Sequence, residues 1–479
     1  MRFARLTLLL FAALALALGC GTPSGPKLVD WPTDRGADVL IRGARVLDVA
    51  TGERGAPADV RLSGGRIVTV AKAGALEADG ARTIDGRGAT LLPGLVDMHG
   101  HISTSTAPAW EMGTPPTPDI NLRGYVYAGV TTVFDPGDGS GEWAERRAGV
   151  AAGEILGPQI FTTGPIVTAP HSHPLAMIEA LVPGWIAWLL IDNFAIPVGS
   201  DEEVAEVIDR IAGDGADAIK IVVDAIPLGA ERMTRERAAS VVTRARSHGI
   251  RTVAHVGTTE DAIDAAEAGI ALWVHGVYKE PLSDADVARL VAFGIPMVTT
   301  SEVFDAYGRA DSGPPIRTRL EIESVPAEKL DSFYPVPEDF DPGPLQSWVE
   351  LMQDTRSVRL VNVGRLHDAG MTILAGSDTQ SNVFPGAALH RELVTLVEAG
   401  LTPAEAIRAA TLDPARYLEE TDDPSFGVVA VGKRADLLLV DGDPTADIAA
   451  LEAIRAVVLQ GEPIVRTTVA EEAAAASAD

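Results

Sequence analysis

Short apolar runs that stop on a titratable side chain recur along this 479-residue chain, and they constrain its fold more than any other feature. Leu91 to Val96 runs into Asp97-Met98-His99-Gly100-His101. Ala218 to Val223 carries Lys220 inside it, Thr252-Val253-Ala254 stops on His255, Ala271 to Val274 stops on His275, and Thr372 to Ala375 leads through Gly376-Ser377 to Asp378. Runs of four to eight apolar residues without alternation are the pattern of strands buried on both faces. Eight strand ends fall near His99, Asp135, Thr163, Val223, Val256, Gly276, Ser301 and Asp378, and helical patterns separate most of them. Ser200-Asp201-Glu202-Glu203 is a capping-box start, with Val204, Val207, Ile208 and Ile211 on one face behind it. Ser283-Asp284-Ala285-Asp286 and Thr402-Pro403-Ala404-Glu405 are similar helix starts. Eight such strand-helix units predict a (β/α)8 barrel, which places the strand-end residues on one rim.

Those rim residues have metal-ligand chemistry. His99 and His101 alternate along a strand end, so both imidazoles point the same way and together can hold one divalent ion; Zn²⁺ suits such nitrogen donors. Lys220 sits among β-branched residues, where an unpaired ammonium costs several kcal/mol, so it is a neutral amine, a salt-bridge partner or a lysine carbamylated by CO₂. A single strand-end histidine is more often a core or capping residue than a ligand. Five such positions in succession reverse that reading.

The order His-x-His, Lys, His, His, Asp over successive strands resembles the amidohydrolase superfamily, in its imidazolonepropionase-like and prolidase-like branch. The resemblance runs from about Asp38 to Ile464 and is carried by Leu92-Pro93-Gly94-Leu95-Val96-Asp97-Met98-His99-Gly100-His101, Gly129-Val130-Thr131-Thr132-Val133 and Gly432-Lys433-Arg434-Ala435-Asp436-Leu437. It implies that His99, His101 and Asp378 bind one metal ion and His255 and His275 a second. Carbamylated Lys220 and a hydroxide would bridge the two ions, and Asp378 would carry the proton to the leaving amine. The implied activity is metal-dependent hydrolysis of a C–N amide bond in a small molecule, a dipeptide or an N-acyl amino acid. A lactam hydrolase or a deaminase of the same fold is the alternative, and a non-catalytic binding lipoprotein is disfavoured because all six ligands remain. Deaminases of this fold manage with one metal, so Lys220 favours the two-metal amide hydrolase. After His255 the sequence reads Val256-Gly257-Thr258-Thr259, without the tyrosine or arginine that prolidase-like members use for a substrate carboxylate.

From Ala37 to Thr90 the runs are shorter and separated by glycine: Asp38 to Ile41, Arg45 to Asp48, Val60 to Leu62 and Arg66 to Val70, with Ser63-Gly64-Gly65 as a hairpin turn. Asp436 to Val440 and Ile454 to Gln460 repeat the pattern near the other end. Neither cluster has the strands to stand alone, so the expectation is one small β-sandwich domain built from both chain ends, 37–90 with 425–467, around a barrel of 91–424.

At the N-terminus, Arg2 and Arg5 precede an apolar stretch from Leu6 to Leu18, the form of a secretory signal (1–19). Ala17-Leu18-Gly19-Cys20 resembles a lipobox, which implies lipidation of Cys20 and an exported, membrane-anchored lipoprotein; a secreted or periplasmic protein is the alternative. Cys20 is the only cysteine, so no intrachain disulfide forms. Residues 20–36 read as a tether and 468–479 as a tail. A formal charge of -28 argues against nucleic acid as a partner and leaves a small-molecule substrate, the membrane and a homo-oligomer.

Two insertions interrupt the barrel pattern. Residues 170–199 hold His171 and His173, candidates for substrate contact, and an apolar run with Trp185, Trp188 and Phe194. Residues 305–344 are rich in Pro, Asp and Glu and read as a long loop. Tyr278, three residues after His275, is a third candidate for the substrate, whereas His248 and His367 read as helix C-terminal charges and His390 as structural.

Overall fold

The structure is a computed structural model that describes residues 25–111, 114–177, 195–309, 315–341 and 343–477. The signal segment, Cys20 and the apolar run with Trp185, Trp188 and Phe194 lie outside the described residues.

Parallel strands run Leu95–Asp97, Val130–Asp135 and Gln159–Thr162 in one sheet. A second sheet runs from Ile166–Thr168 through Ala218–Val222, Arg251–His255, Leu272–Val274 and Met297–Thr299 to Ile373–Ala375. The third barrel position is thus two short pieces broken at 163–165, and Asp217 bridges the break: its amide donates to Thr162 O (2.8 Å) and its carboxylate accepts from Thr162 N (2.9 Å). The other seam closes the eighth strand on the first. Met98 N donates to Ala375 O at 2.9 Å, Ser377 N to the Asp97 carboxylate at 3.0 Å and Asp378 N to His99 O at 2.5 Å. Val96, Met98, Phe134, Val253, Val298 and Leu374 fill the interior, all buried. This is a TIM-barrel-like fold, and its strands end where the apolar runs end. The capping boxes at Ser200, Thr258, Ser283 and Thr402 start the helices that cover it.

The two chain ends meet in a single eight-stranded sheet, which replaces the two facing sheets of a sandwich. Leu437–Asp441 pairs antiparallel with Ala89–Pro93, and Val39–Asp48 continues the sheet toward Glu53–Ser63 and Arg66–Lys72. Alternate residues serve two cores: Leu91, Leu437 and Leu439 join a cluster of the sheet's own, while Leu92, Leu438 and Val440 join the cluster continuous with the barrel. The sheet curls around the first cluster, so one sheet does the work expected of two. Gly64 (φ +56°) and Gly65 (φ +74°) make the turn between Ser63 and Arg66, a two-residue hairpin that needs positive φ at both positions. The runs 38–41 and 45–48 are one strand, bulged where Gly43 donates its amide to the buried Asp59 carboxylate at 3.0 Å.

Three stretches differ from expectation. Leu28 and Val29 are buried, and Val29–Asp30 pairs with Val465–Arg466, so this part of the tether belongs to the folded body. The tail contains helix Val469–Ala476, started by a Thr468/Glu471 capping box, and its Glu472 accepts from the amides of Lys27 and Leu28. The second insertion carries helices Arg319–Ser324 and Ala327–Asp331 in place of the expected loop, with Ser301–Gly308 running into it and Gln346–Asp354 following it. Of its acidic residues, Glu321 closes a capping box and Asp305 pairs with Arg359, roles that composition alone does not reveal.

Candidate active site

The barrel closure brings His99, His101 and Asp378 together. His99 Nε2 lies 3.2 Å from His101 Nε2, and Asp378 Oδ1 lies 3.5 Å from the first and 3.2 Å from the second. Ligand atoms held tetrahedrally around one Zn²⁺ at its usual bond lengths are about 3.3 Å apart, so these three donors fit a divalent ion between them. Two imidazole nitrogens facing one another at this distance also need a proton or a cation between them. In the protein alone, burial pulls the His101 imidazole down, but the carboxylates of Asp135 and Asp378 outweigh it and raise its pKa to about 10. A cation bound at the site would replace that proton. His99 is the opposite case, held well below the ordinary histidine range by burial, with Lys220 and the neighbouring imidazoles adding to the effect. Asp378 stays below the usual carboxylate range although burial opposes it, because His101, His275 and Lys220 favour its charge.

His275 and His255 continue the cluster, their ring centroids 4.1 Å apart, with His275 4.8 Å from His99. Burial is the leading reason that both are held well below the usual histidine range, which leaves neutral rings with lone pairs. Outer contacts set which nitrogen faces inward. A carboxylate only accepts, so His255 Nε2–H donates to Asp224 at 3.1 Å and His101 Nδ1–H to Asp135 at 3.3 Å. His275 Nδ1 is 2.6 Å from Thr300 Oγ1 and 3.9 Å from Asp378 Oδ2. Lys220 is 2 % exposed on the fourth barrel strand, and burial lowers its pKa to about 7 against the pull of Asp378 and Asp135. Much of it is therefore an uncharged amine at neutral pH.

His275 (φ +80°) and Asp378 (φ +53°) both have left-handed backbone, which costs about 1 kcal/mol or more at each non-glycine position and is stored where function requires it. The six sequence-predicted residues all line one cavity of about 140 Å³ at the strand C-terminal ends. His173 joins them, its ring 5.2 Å from His255 and its pKa lowered to about 4, chiefly by burial. The other two substrate candidates are placed elsewhere. His171 is exposed, and Tyr278 is buried with its hydroxyl donating to Asp224; neither lines the cavity.

Sequence reasoning missed the outer carboxylates. Asp224 is fully buried and receives Tyr278 Oη–H, Lys279 Nζ–H and His255 Nε2–H. Asp135 accepts from Ile102 N (3.0 Å) as well as from His101. A signal existed for both: each is an acidic residue at or just past the end of an apolar barrel strand. Phe304, Tyr307 and Trp348, which form one wall, had none, since they come from helices Ser301–Gly308 and Gln346–Asp354 at the two ends of the second insertion.

The Amidohydrolase family profile matches residues 90–464. Among curated proteins, adenine deaminase 2 of Rhizobium etli is 26% identical over 437 residues, covering 90% of this chain and 57% of its own length. This chain thus spans little more than half of that relative. Among solved structures, a Xaa-Pro dipeptidase with bound methionine aligns with a TM-score of 0.70 at 23% identity, over 89% of this chain and 99% of that one. A molinate hydrolase aligns with a TM-score of 0.68 at 19% identity, over 89% and 94%. At such identities these structures speak for the fold.

Proposed function

The chain belongs to the amidohydrolase family, and on that premise we propose that it hydrolyses a carbon–nitrogen amide bond of a small molecule with two divalent cations, zinc by the donor set. His99, His101 and Asp378 would hold one and His255 and His275 the other, with carbamylated Lys220 between them. When bound, the cations polarise the scissile carbonyl and make water nucleophilic near neutral pH. The chain's own residues do the rest. Asp378, ionised and 3.2 Å from His101, accepts a proton from the attacking water and returns it to the leaving nitrogen. Asp135 and Asp224 fix the rings of His101 and His255 so that one nitrogen of each faces the cavity. The low pKa of Lys220 supplies the uncharged amine that reacts with CO₂.

The observation that carries this reading is the convergence of His99, His101 and Asp378 with all ligand atoms within 4.8 Å, beside two further neutral imidazoles and a buried lysine. It is tested with Zn²⁺- and bicarbonate-treated protein on a mixed amide library, read by mass spectrometry, with Lys220→Ala and Asp378→Asn as folded controls. Both variants are expected to lose nearly all turnover, and Lys220→Ala to hold fewer than two metal equivalents. Full activity in either would refute the mechanism. The kinship to adenine deaminases favours one second reading, hydrolytic removal of an amino group from a purine. Ammonia released from adenine, without amide cleavage, would establish it instead.

A further inference from the structure

Beside the metal-ligand cluster the cavity presents Ile226, Val303, Phe304, Leu345 and Trp348 as one apolar wall. Phe304 stands 5.5 Å from the His275 ring, and Trp348 packs edge-on to Tyr307 at 4.7 Å, so the wall begins at the reacting centre. Outside the metal-ligand cluster the polar side chains on the described lining are Ser103, Thr104, His173, Tyr307 and Gln380, none of them a fixed cation, and Tyr307 Oη–H already donates to Gln380 at 2.8 Å. Among the described lining residues Lys220 alone is a lysine or arginine, and as a carbamate it turns anionic. The internal stretches outside the described residues, 112–113, 178–194, 310–314 and 342, contain no lysine, arginine or histidine.

Among the described residues, cations on elements that carry or flank the wall are paired. Arg309 pairs with Glu302, Arg359 with Asp305 at 2.6 Å, and Lys279 with Asp224. Arg146 reaches Ser103 at 3.0 Å but is shared with Asp138. With a net charge of -28, the field of the whole protein also opposes an approaching anion.

Resting on the hydrolase reading above, we propose that the site selects uncharged amides or carbamates with an aromatic or branched apolar group against the Phe304–Trp348 wall, and discriminates against substrates with a free carboxylate. This is narrower than, and different from, the dipeptides and N-acyl amino acids implied by the sequence. A substrate carboxylate needs a fixed cation to offset its desolvation, and outside the metal-ligand cluster the described lining offers no lysine or arginine. An apolar ring, in contrast, needs no polar partner of its own.

The test uses metal-loaded protein and matched pairs of aryl amides and aryl carbamates, identical except that one member carries a carboxylate where the other carries a primary carboxamide. The expected result is kcat/KM at least about tenfold higher for each neutral member, the equivalent of about 1.4 kcal/mol. Leu345→Arg, at a half-buried position on the wall, is expected to narrow or invert that ratio. Equal or faster turnover of the carboxylate members overturns the proposal and leaves the hydrolase reading intact. If none of the pairs reacts while the same preparation cleaves dipeptides, the substrate class is wrong and the hydrolase stands. If neither reacts in protein that holds two metals, both fall.

Discussion

Replacing Asp224 with asparagine separates two tasks that one buried carboxylate performs. Asp224 has no exposed side-chain surface, and Lys279, its cationic partner, is 8% exposed. The substituted amide would keep an oxygen for Tyr278 but remove the charge, leaving the Lys279 ammonium buried with Ala225 O (2.8 Å) as its remaining partner. Stranding one member of a buried pair costs about 3–5 kcal/mol, and the retained amide oxygen places Asp224→Asn near the lower end, about 3 kcal/mol. Independently, His255 Nε2–H, which lies 3.1 Å from the Asp224 Oδ2 it shares with Tyr278, keeps only a neutral amide oxygen in place of the carboxylate, a weakening of the outer partner worth up to about 10–100-fold in metal affinity. Adding Lys279→Met removes the stranded charge, so the double variant is expected to regain most of the stability and none of the affinity. Urea unfolding measures the first quantity. Competition against a chromophoric chelator measures the second. If the double variant recovers affinity and stability together, Asp224 acts only as the counter-charge of Lys279, and its role in orienting His255 is refuted.

Two further predictions follow from buried and terminal residues. Burial raises the Glu392 carboxyl to about 8, with Glu302 adding to the effect against the donors Thr299 and Glu302 N. Its native pKa lies above the unfolded one, so its contribution to stability is present below the unfolded value and is lost as pH rises from about 4 to 8. Glu392→Gln, which cannot ionise, is expected to gain on the wild type by on the order of a few kcal/mol between pH 5 and 8.5 in urea unfolding; parallel profiles would show that Glu392 does not stay protonated. We also propose export and lipid anchoring through Cys20, on the basis of the Arg2/Arg5 start and the Leu18-Gly19-Cys20 sequence. Labelled palmitate is expected in the wild-type protein and absent from Cys20→Ser, and an unlabelled wild type would rule the anchor out.

The sequence alone determined where the barrel strands stop and which chemistry stops them. A strand buried on both faces must be apolar throughout, so a titratable residue inside or at the end of one, such as Lys220, His255 or Asp378, stands out against its neighbours. Helix starts at Ser200, Ser283 and Thr402 were legible for a similar reason, because capping is local and spans four residues. What the sequence did not determine was decided by contacts between distant segments. The seam between Asp97 and Ser377 closes the barrel across 280 positions. Pairing of Leu437–Asp441 with Ala89–Pro93 turns two strand clusters into one curled sheet. Asp224, Tyr278 and Lys279 form a unit only because adjacent barrel positions bring them together, and that unit took Tyr278 away from the cavity. Phe304, Tyr307 and Trp348 likewise became a wall only when the helices at the two ends of the second insertion packed against each other over the rim. Ligand identity is written in a run of five or six residues, but the charge and shape of a pocket belong to side chains that share no local pattern, and packing alone assembles them.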